Sequence, residues 1–270
     1  MKKTSDIRDF IFFKIKKTIF LAKITSQEHG IISGTQLLRE ACKKIGIILI
    51  ESKKNGENVK PSEAIAILKG NPKQIAMAEE QLIGLIAKAS GIATAAAMAK
   101  KLAGQKLKVV SGAWKKMPPQ IKDLVRQAIT DGGIDYRISP LPFIYLDKNY
   151  VRLFGGVEES LLSIKNFKNY TKIIQLKSKG KRLCKEASSA ARLGADIIMI
   201  DTGLKEDISL VDYALKEKGL RDQVKIAFAG NIKMADIKEL RKFPVDIIDV
   251  GKAIVDAPLL NMRMDVIQRI

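Results

Sequence analysis

The sequence predicts an α/β protein in two parts: an N-terminal α+β domain, then an open (α/β) barrel of about seven strands. Three observations carry this reading. In the last third, two short β-branched runs, Lys225–Phe228 and 246–250, each lead into a turn glycine, Gly230 and Gly251, and then a helical pattern. From Lys106 onward strand-like and helix-like segments alternate, which is the rhythm of parallel βα units. Before Lys106 the apolar runs are short, turn-rich and suited to antiparallel pairing, until a long alanine-rich helix takes over. The chain has 270 residues, enough for two modest domains, each with its own core.

The N-terminal domain is expected over residues 1–105. Strands are expected at 19–24, 30–34, 45–51 and 64–68, with a helix at 35–44, a turn at 52–58 and the long helix at 75–103. Gly91 inside that helix marks a bend or a close approach. The barrel is expected over 106–256. Its strands are placed at 107–110, 135–138, 143–146, 173–176, 196–200, 224–228 and 246–250, and its clearest helices at 124–130, 183–193, 209–218 and 234–243. A doubly wound open sheet is the alternative, disfavoured because the signature glycines come late rather than after the first strand. Residues 257–270 are expected to fold back on the first domain.

Composition narrows the function. Hydrophobic residues make up 46% and charged residues 29%, an ordinary soluble globular balance. The formal net charge of +19 fits anionic ligands, and fits a generally lysine-rich background equally well. Lysines are scattered, with no basic tail and no aromatic–basic interleaving, so nucleic acid ranks last among anionic partners. Cys42 and Cys184 read as reduced thiols of a cytoplasmic protein. The single His29 rules out any site needing several histidines and reads as a turn or surface residue. Lysines break the apolar run 10–17, so no signal peptide is expected. Glu79, Glu80 and Lys88 interrupt the long apolar helix, which therefore reads as buried or at an interface rather than in a membrane.

Glycine lets backbone N–H groups approach an anion, and a following helix start adds a favourable dipole. Two such turns late in a series of βα units are how a barrel builds a phosphate site at its C-terminal face. The predicted ligand is therefore a phosphorylated small molecule.

Several segments resemble the quinolinate phosphoribosyltransferase family (nicotinate-nucleotide pyrophosphorylase, carboxylating) and its relative in molybdate-transport gene clusters. They are Glu79 with Ser90-Gly91-Ile92-Ala93-Thr94, Gly132-Gly133, the run from Gly194 to Asp201, the two late glycine turns and Asp256-Ala257-Pro258. The resemblance runs from about Leu21 to Leu259. It implies an α/β-sandwich N-terminal domain, an open barrel and a head-to-tail homodimer. The implied chemistry is transfer of ribose 5-phosphate from phosphoribosyl pyrophosphate to a ring nitrogen, with Mg²⁺.

Carried over residue by residue, the resemblance gives Gly230, Asn231, Gly251 and Lys252 to the 5-phosphate site, with Asn231 standing where the family has a second glycine. Asn tolerates left-handed backbone, so that turn is expected to survive. The family's Arg-Lys-Thr-Thr-Pro loop becomes Lys115-Lys116-Met117-Pro118-Pro119. Lys115 is expected to bind the diphosphate and Lys116 to act in catalysis, although a solvated basic loop is an equal reading. The family's His-Arg pair becomes Tyr136-Arg137, which leaves Arg137 as an anion contact. The Lys-Asp-Asn-His run becomes Asp147-Lys148-Asn149-Tyr150, where the charges exchange places; a slip of one residue restores Lys148 as a substrate contact, and both registers stand.

A glutamate expected at a barrel-strand end falls near Gln175 or Lys177. Asp201 matches a strand-end aspartate, expected to act in catalysis on the ribose or as the Mg²⁺ ligand. Glu80 stands where an arginine holds the dicarboxylate substrate, so it is expected to repel an acidic ring. Lost arginines and histidine point away from quinolinate as substrate, and the same departures leave open a catalytically degenerate member that binds a phosphorylated metabolite as a regulatory or accessory protein.

Overall fold

The computed structural model describes residues 6–270, so the first five residues of the expected N-terminal domain lie outside the described residues. The chain divides into two compact units. One comprises residues up to Ala97, Met117–Gly133 and Asp256–Ile270; the other comprises Met98–Lys116 and Ile134–Val255.

The first unit begins with α1 (Ile7–Ile11), capped by Asp6, whose carboxylate accepts from the Arg8 amide at 3.0 Å. There follow β1 (Phe20–Ser26), β2 (Gly30–Ile31), α2 (Thr35–Ile45), β3 (Ile48–Ser52), β4 (Asn58–Val59), β5 (Ala64–Gly70) and α3 (Pro72–Ala103), whose residues from Met98 on are counted with the second unit. The expected strand at 45–51 starts later, because Ile45 still belongs to α2 and Gly46 closes that helix in a left-handed conformation. The main sheet has the order β12–β1–β5–β3, with β12 (Met262–Arg269) antiparallel to β1 from Phe20 opposite Arg269 to Ser26 opposite Met262. Residues at the C-terminal end thus do return to this unit.

Helix α3 is long and apolar enough to cross a bilayer by length and composition. Its Ile75, Ala78, Leu82 and Ile86 are instead buried with Ile24, Leu38, Ile65 and Leu68, in one core with the sheet. Gly91 marks a close approach: a Cβ there would fall inside the van der Waals radius of the Pro258 carbonyl oxygen. Glu80 does not act as a bare negative charge. Arg8 Nη2 donates to both of its carboxylate oxygens, at 2.5 and 2.6 Å, in an ion pair at the surface that the sequence did not show.

In the second unit a parallel sheet is built from β6 (Lys108–Val110), β7 (Phe143–Leu146), β8 (Thr171–Leu176), β9 (Ile197–Ile200), β10 (Lys225–Phe228) and β11 (Ile247–Asp249), in the order β6–β11–β10–β9–β8–β7. The expected strand at 135–138 contributes a single bridge, Asp135 with Val110. Its backbone is used otherwise: the Tyr136 carbonyl accepts from the Trp114 indole at 2.8 Å. The result is an open, half-barrel sheet.

Val110, Ile173, Ile197, Met199, Ala227 and Ile247 form the core inside the curve. Ile174, Leu176, Ile198, Ile200, Ile226 and Ile248 alternate with them and are buried on the other face. Burial on both faces explains the continuous β-branched runs in the sequence.

Of the helices, α4 (Lys122–Asp131) clusters with the first unit, although the sequence placed it in the barrel domain. Asp131 at its end accepts from the Ser33 hydroxyl at 2.6 Å, a bond invisible to composition. Helices α5 (Lys148–Leu153) and α6 (Val157–Ser163) were not expected; α7 (Gly180–Arg192), α8 (Glu206–Lys216) and α9 (Ile237–Leu240) overlap the predicted ones, and α10 (Lys252–Val255) follows the last glycine turn. The segment 147–150 belongs to no strand. Asp147 caps α5, accepting from the amides of Asn149 at 2.7 Å and Tyr150 at 3.2 Å, so neither strand register considered for it applies.

Candidate active site at the C-terminal edge of the parallel sheet

All six strands of the half-barrel run in parallel, so their C-terminal ends meet along one edge. That edge carries Gly112 after β6, Gln175 and Lys177 at the end of β8, Asp201 after β9, Gly230 after β10, and Asp249 with Gly251 at the end of β11. Ligands of parallel α/β folds bind at this edge because the loops there are free of the sheet's hydrogen bonding.

Two turns press together at the β9 and β10 ends. Gly230 has φ +116°, and a Cβ on it would lie 2.5 Å from the Gly203 nitrogen, so only glycine fits. The Gly203 amide donates to the Ala229 carbonyl at 3.3 Å and locks the pair. Asn231 adopts φ +58°, the left-handed conformation expected for it. The N–H groups of Gly230, Asn231 and Gly251 make no hydrogen bond among the described residues. Lys252 is exposed at the first position of α10. These are the elements of an anion cradle.

Asp201 lies next to the β9 turn with its side chain one-fifth exposed. Its Oδ2 accepts from Lys177 Nζ at 2.9 Å and from Gln175 Nε2 at 2.5 Å. Gln175 Oε1 in turn accepts the Lys148 amide at 2.8 Å. Gln175 therefore joins the start of α5 to Asp201, and Lys148 enters the site through its backbone, with its side chain exposed. Among the described residues no hydrogen bond reaches Asp201 Oδ1.

Asp249 is a residue that the sequence did not flag. Its Oδ1 accepts from the Gly112 amide at 2.9 Å. Burial pushes its carboxyl above the usual range, and the charge of Asp201 adds to the rise; the Gly112 hydrogen bond and the ammonium groups of Lys115 and Lys116 oppose it. Tyr145 stands against the same group. Burial raises its phenol above the ordinary value, and Asp249, Asp201 and Asp147 add to this, so it remains a protonated donor. Lys115 Nζ lies 5.1 Å from the centre of the Tyr145 ring.

Lys115, Lys116, Asp201, Asp249 and Tyr145 thus form one electrostatic cluster. Arg137 is engaged elsewhere. Its guanidinium carbon lies 4.9 Å from the centre of the Tyr136 ring, and Tyr136 meets Trp114 edge-on at 5.9 Å. This aromatic group had only one sequence signal, Tyr136 in place of histidine. Asp249 had one that went unused: it alternates with Ile247 on the inner face of the curve, two residues before Gly251.

Among the described residues no three His, Cys, Asp or Glu side chains gather as metal ligands. The expected Mg²⁺ ligand, Asp201, holds an ammonium and an amide on one oxygen. Mg²⁺ is usually held by one or two carboxylates together with waters and substrate phosphates, and at Asp201 one of the two carboxylate oxygens is already taken by an ammonium and an amide.

Comparison with known proteins agrees with the architecture. A family model described as quinolinate phosphoribosyl transferase, C-terminal domain, matches residues 92–265, and its N-terminal counterpart matches residues 6–90. A probable nicotinate-nucleotide pyrophosphorylase [carboxylating] from Archaeoglobus fulgidus is 30% identical over 251 residues, covering 92% of this chain and 94% of that protein. A second, from Methanothermobacter thermautotrophicus, is 25% identical and covers 92% and 89%. The nicotinate-nucleotide pyrophosphorylase structure from Francisella tularensis superposes with a TM-score of 0.82 at 24% identity, over 98% of this chain and 91% of that one. With both domains matched in order along one chain, the protein belongs to the quinolinate phosphoribosyl transferase family.

Proposed function

We propose that the chain is a phosphoribosyltransferase of the nicotinate-nucleotide pyrophosphorylase type, using phosphoribosyl pyrophosphate and a nitrogen heterocycle with fewer carboxylates than quinolinate. The observation that carries this is the row of unbonded amides at Gly230, Asn231 and Gly251, on the edge that also holds Asp201, Lys115 and Lys116. The amides suit the 5-phosphate. Asp201 Oδ1 suits a ribose hydroxyl. As the ribosyl C1–O bond breaks, its electron pair leaves with pyrophosphate and the ring nitrogen's lone pair forms the new C–N bond. Lys115 and Lys116 meet the charge that grows on the leaving group.

The base side supports a less acidic ring. Arg137 is spread over Tyr136 rather than held as a free fork, and Lys115 and Lys116 lack the planar geometry that pairs bidentately with carboxylates. Two free cysteines are in keeping with a cytoplasmic protein, and the family resemblance implies a homodimer. Calorimetry with phosphoribosyl pyrophosphate, then pyrophosphate release with a panel of ring nitrogen bases including quinolinate, tests the reading. Binding is expected, with turnover greatest for bases bearing at most one carboxylate. The Asp201→Ala variant is expected to slow transfer by about 10²-fold or more. Absence of binding at millimolar ligand would remove the proposal.

One observation favours a second reading, a ligand-binding member without turnover. Neutral Gln175, not an acid, braces Asp201. Tight binding with no pyrophosphate release for any base decides for it.

A further inference from the structure

Resting on the phosphoribosyl reading above, we infer that Lys177 takes the place of a divalent cation at Asp201, so that the site binds the phosphoribosyl group independently of metal. Three features lead there. Asp201 Oδ2 is engaged by Lys177 Nζ at 2.9 Å and Gln175 Nε2 at 2.5 Å, so an ammonium already sits where a cation would pair with this carboxylate and only Oδ1 is left without a hydrogen bond. Gln175 is fixed by the Lys148 amide at 2.8 Å, so its NH₂ group is held toward Asp201 and cannot turn its oxygen to a cation without losing that bond. Asp249, the neighbouring carboxylate, is tied to the Gly112 amide and faces Lys115 and Lys116.

Charge balance points the same way. Two carboxylates, Asp201 and Asp249, are met by three ammonium groups, Lys115, Lys116 and Lys177. A carboxylate pair with no cations would repel a diphosphate, and a metal ion is the usual bridge between such groups. Here Lys177 pairs with Asp201, and the charges of Lys115 and Lys116 act on Asp249 without a direct ion pair. An ammonium donates hydrogen bonds to carboxylate and phosphate oxygens together, which a cation on a flexible stem does without a fixed coordination shell. Asp201 Oδ1 is left as acceptor for a ribose hydroxyl, and Lys177, less than half exposed on its side chain, can contact both Asp201 and the incoming anion.

The test is calorimetric titration of the full chain with phosphoribosyl pyrophosphate in EDTA and in millimolar Mg²⁺, for the wild type and for Lys177→Gln. Lys177 lies in an exposed segment, so the variant is expected to fold, and a thermal melt checks this. The wild type is expected to bind in EDTA within about threefold of its affinity in Mg²⁺. Lys177→Gln is expected to lose about tenfold in EDTA, the worth of one charged contact, and to regain part of it with Mg²⁺. Wild-type binding that collapses more than tenfold in EDTA overturns the inference, as does a variant indifferent to both substitution and metal. No binding in either buffer removes the phosphoribosyl reading itself, and this inference with it.

Discussion

An asparagine at position 249 would keep the oxygen that receives the Gly112 amide and lose only the charge. Because burial holds the Asp249 carboxyl above its ordinary value of 3.8, the fold favours the protonated form. That contribution is complete below the unfolded value and is lost as pH rises through the folded one. Asp249→Asn cannot ionise and retains it. The variant's melting temperature is therefore expected to match wild type near pH 3 and to exceed it at pH 7, by roughly a few degrees. Melts across that range check it, and a variant less stable at pH 7 than at pH 3, relative to wild type, would contradict the burial account. The gain comes with a functional cost, since strained charge at a binding edge is what function retains.

The unusual backbone at Gly230 and Asn231 was legible because glycine and asparagine announce left-handed conformations locally. Asp249 and Gly203 were not, and although Asp201, Gln175 and Lys177 were each picked out, their joining in one group was not, because each acts through a partner far along the chain on another strand or turn and no local pattern encodes such a pairing.

Two glycines of α3 make opposite predictions at the scale of the element. Gly91 abuts the Pro258 carbonyl, so Gly91→Ala must push the two segments apart, at a cost of about 1–3 kcal/mol. Gly84 on the same helix has open space where a Cβ would go, so Gly84→Ala is expected to stabilise by about 0.5–1 kcal/mol through helix propensity alone. Paired denaturant titrations read both, and shifts of the same sign would refute the packing of residues 256–260 against this helix.

Periodicity located α3, β1, β3, β5 and six parallel strands, because each buries a continuous face and burial leaves a repeating pattern; it did not mark β12, most of whose residues are exposed or half-buried. It failed at 135–138, where the Trp114 indole takes a carbonyl that a strand would have paired. It failed again at 147–163, where an aspartate cap and the Gly155-Gly156 pair set two short helices that end before a period can be read. The boundary near 105 missed that α4 joins the first unit, since one Ser33–Asp131 hydrogen bond carries no compositional signal.

Over the whole molecule, a net charge of +19 sets two terms of opposite sign. Like charges repel in the compact chain, and salt screens them; the Debye length falls from about 30 Å at 0.01 M to about 8 Å at 0.15 M. Raising KCl across that range is therefore expected to raise the melting temperature. The same screening weakens attraction between the lysines of the sheet edge and a polyanionic ligand, so affinity for phosphoribosyl pyrophosphate is expected to fall as the protein becomes more stable. The scattered placement of lysine predicts no comparable gain for nucleic acid: a duplex needs a continuous basic track to release counterions, and a gel shift in low salt is expected to show only weak, unsaturating retention. Melting curves and calorimetry run in the same salt series separate the two terms. If stability and ligand affinity fall together with added salt, surface ion pairs such as Lys205–Glu239 and Arg182–Glu186 outweigh global repulsion, and the positive charge does not destabilise the fold.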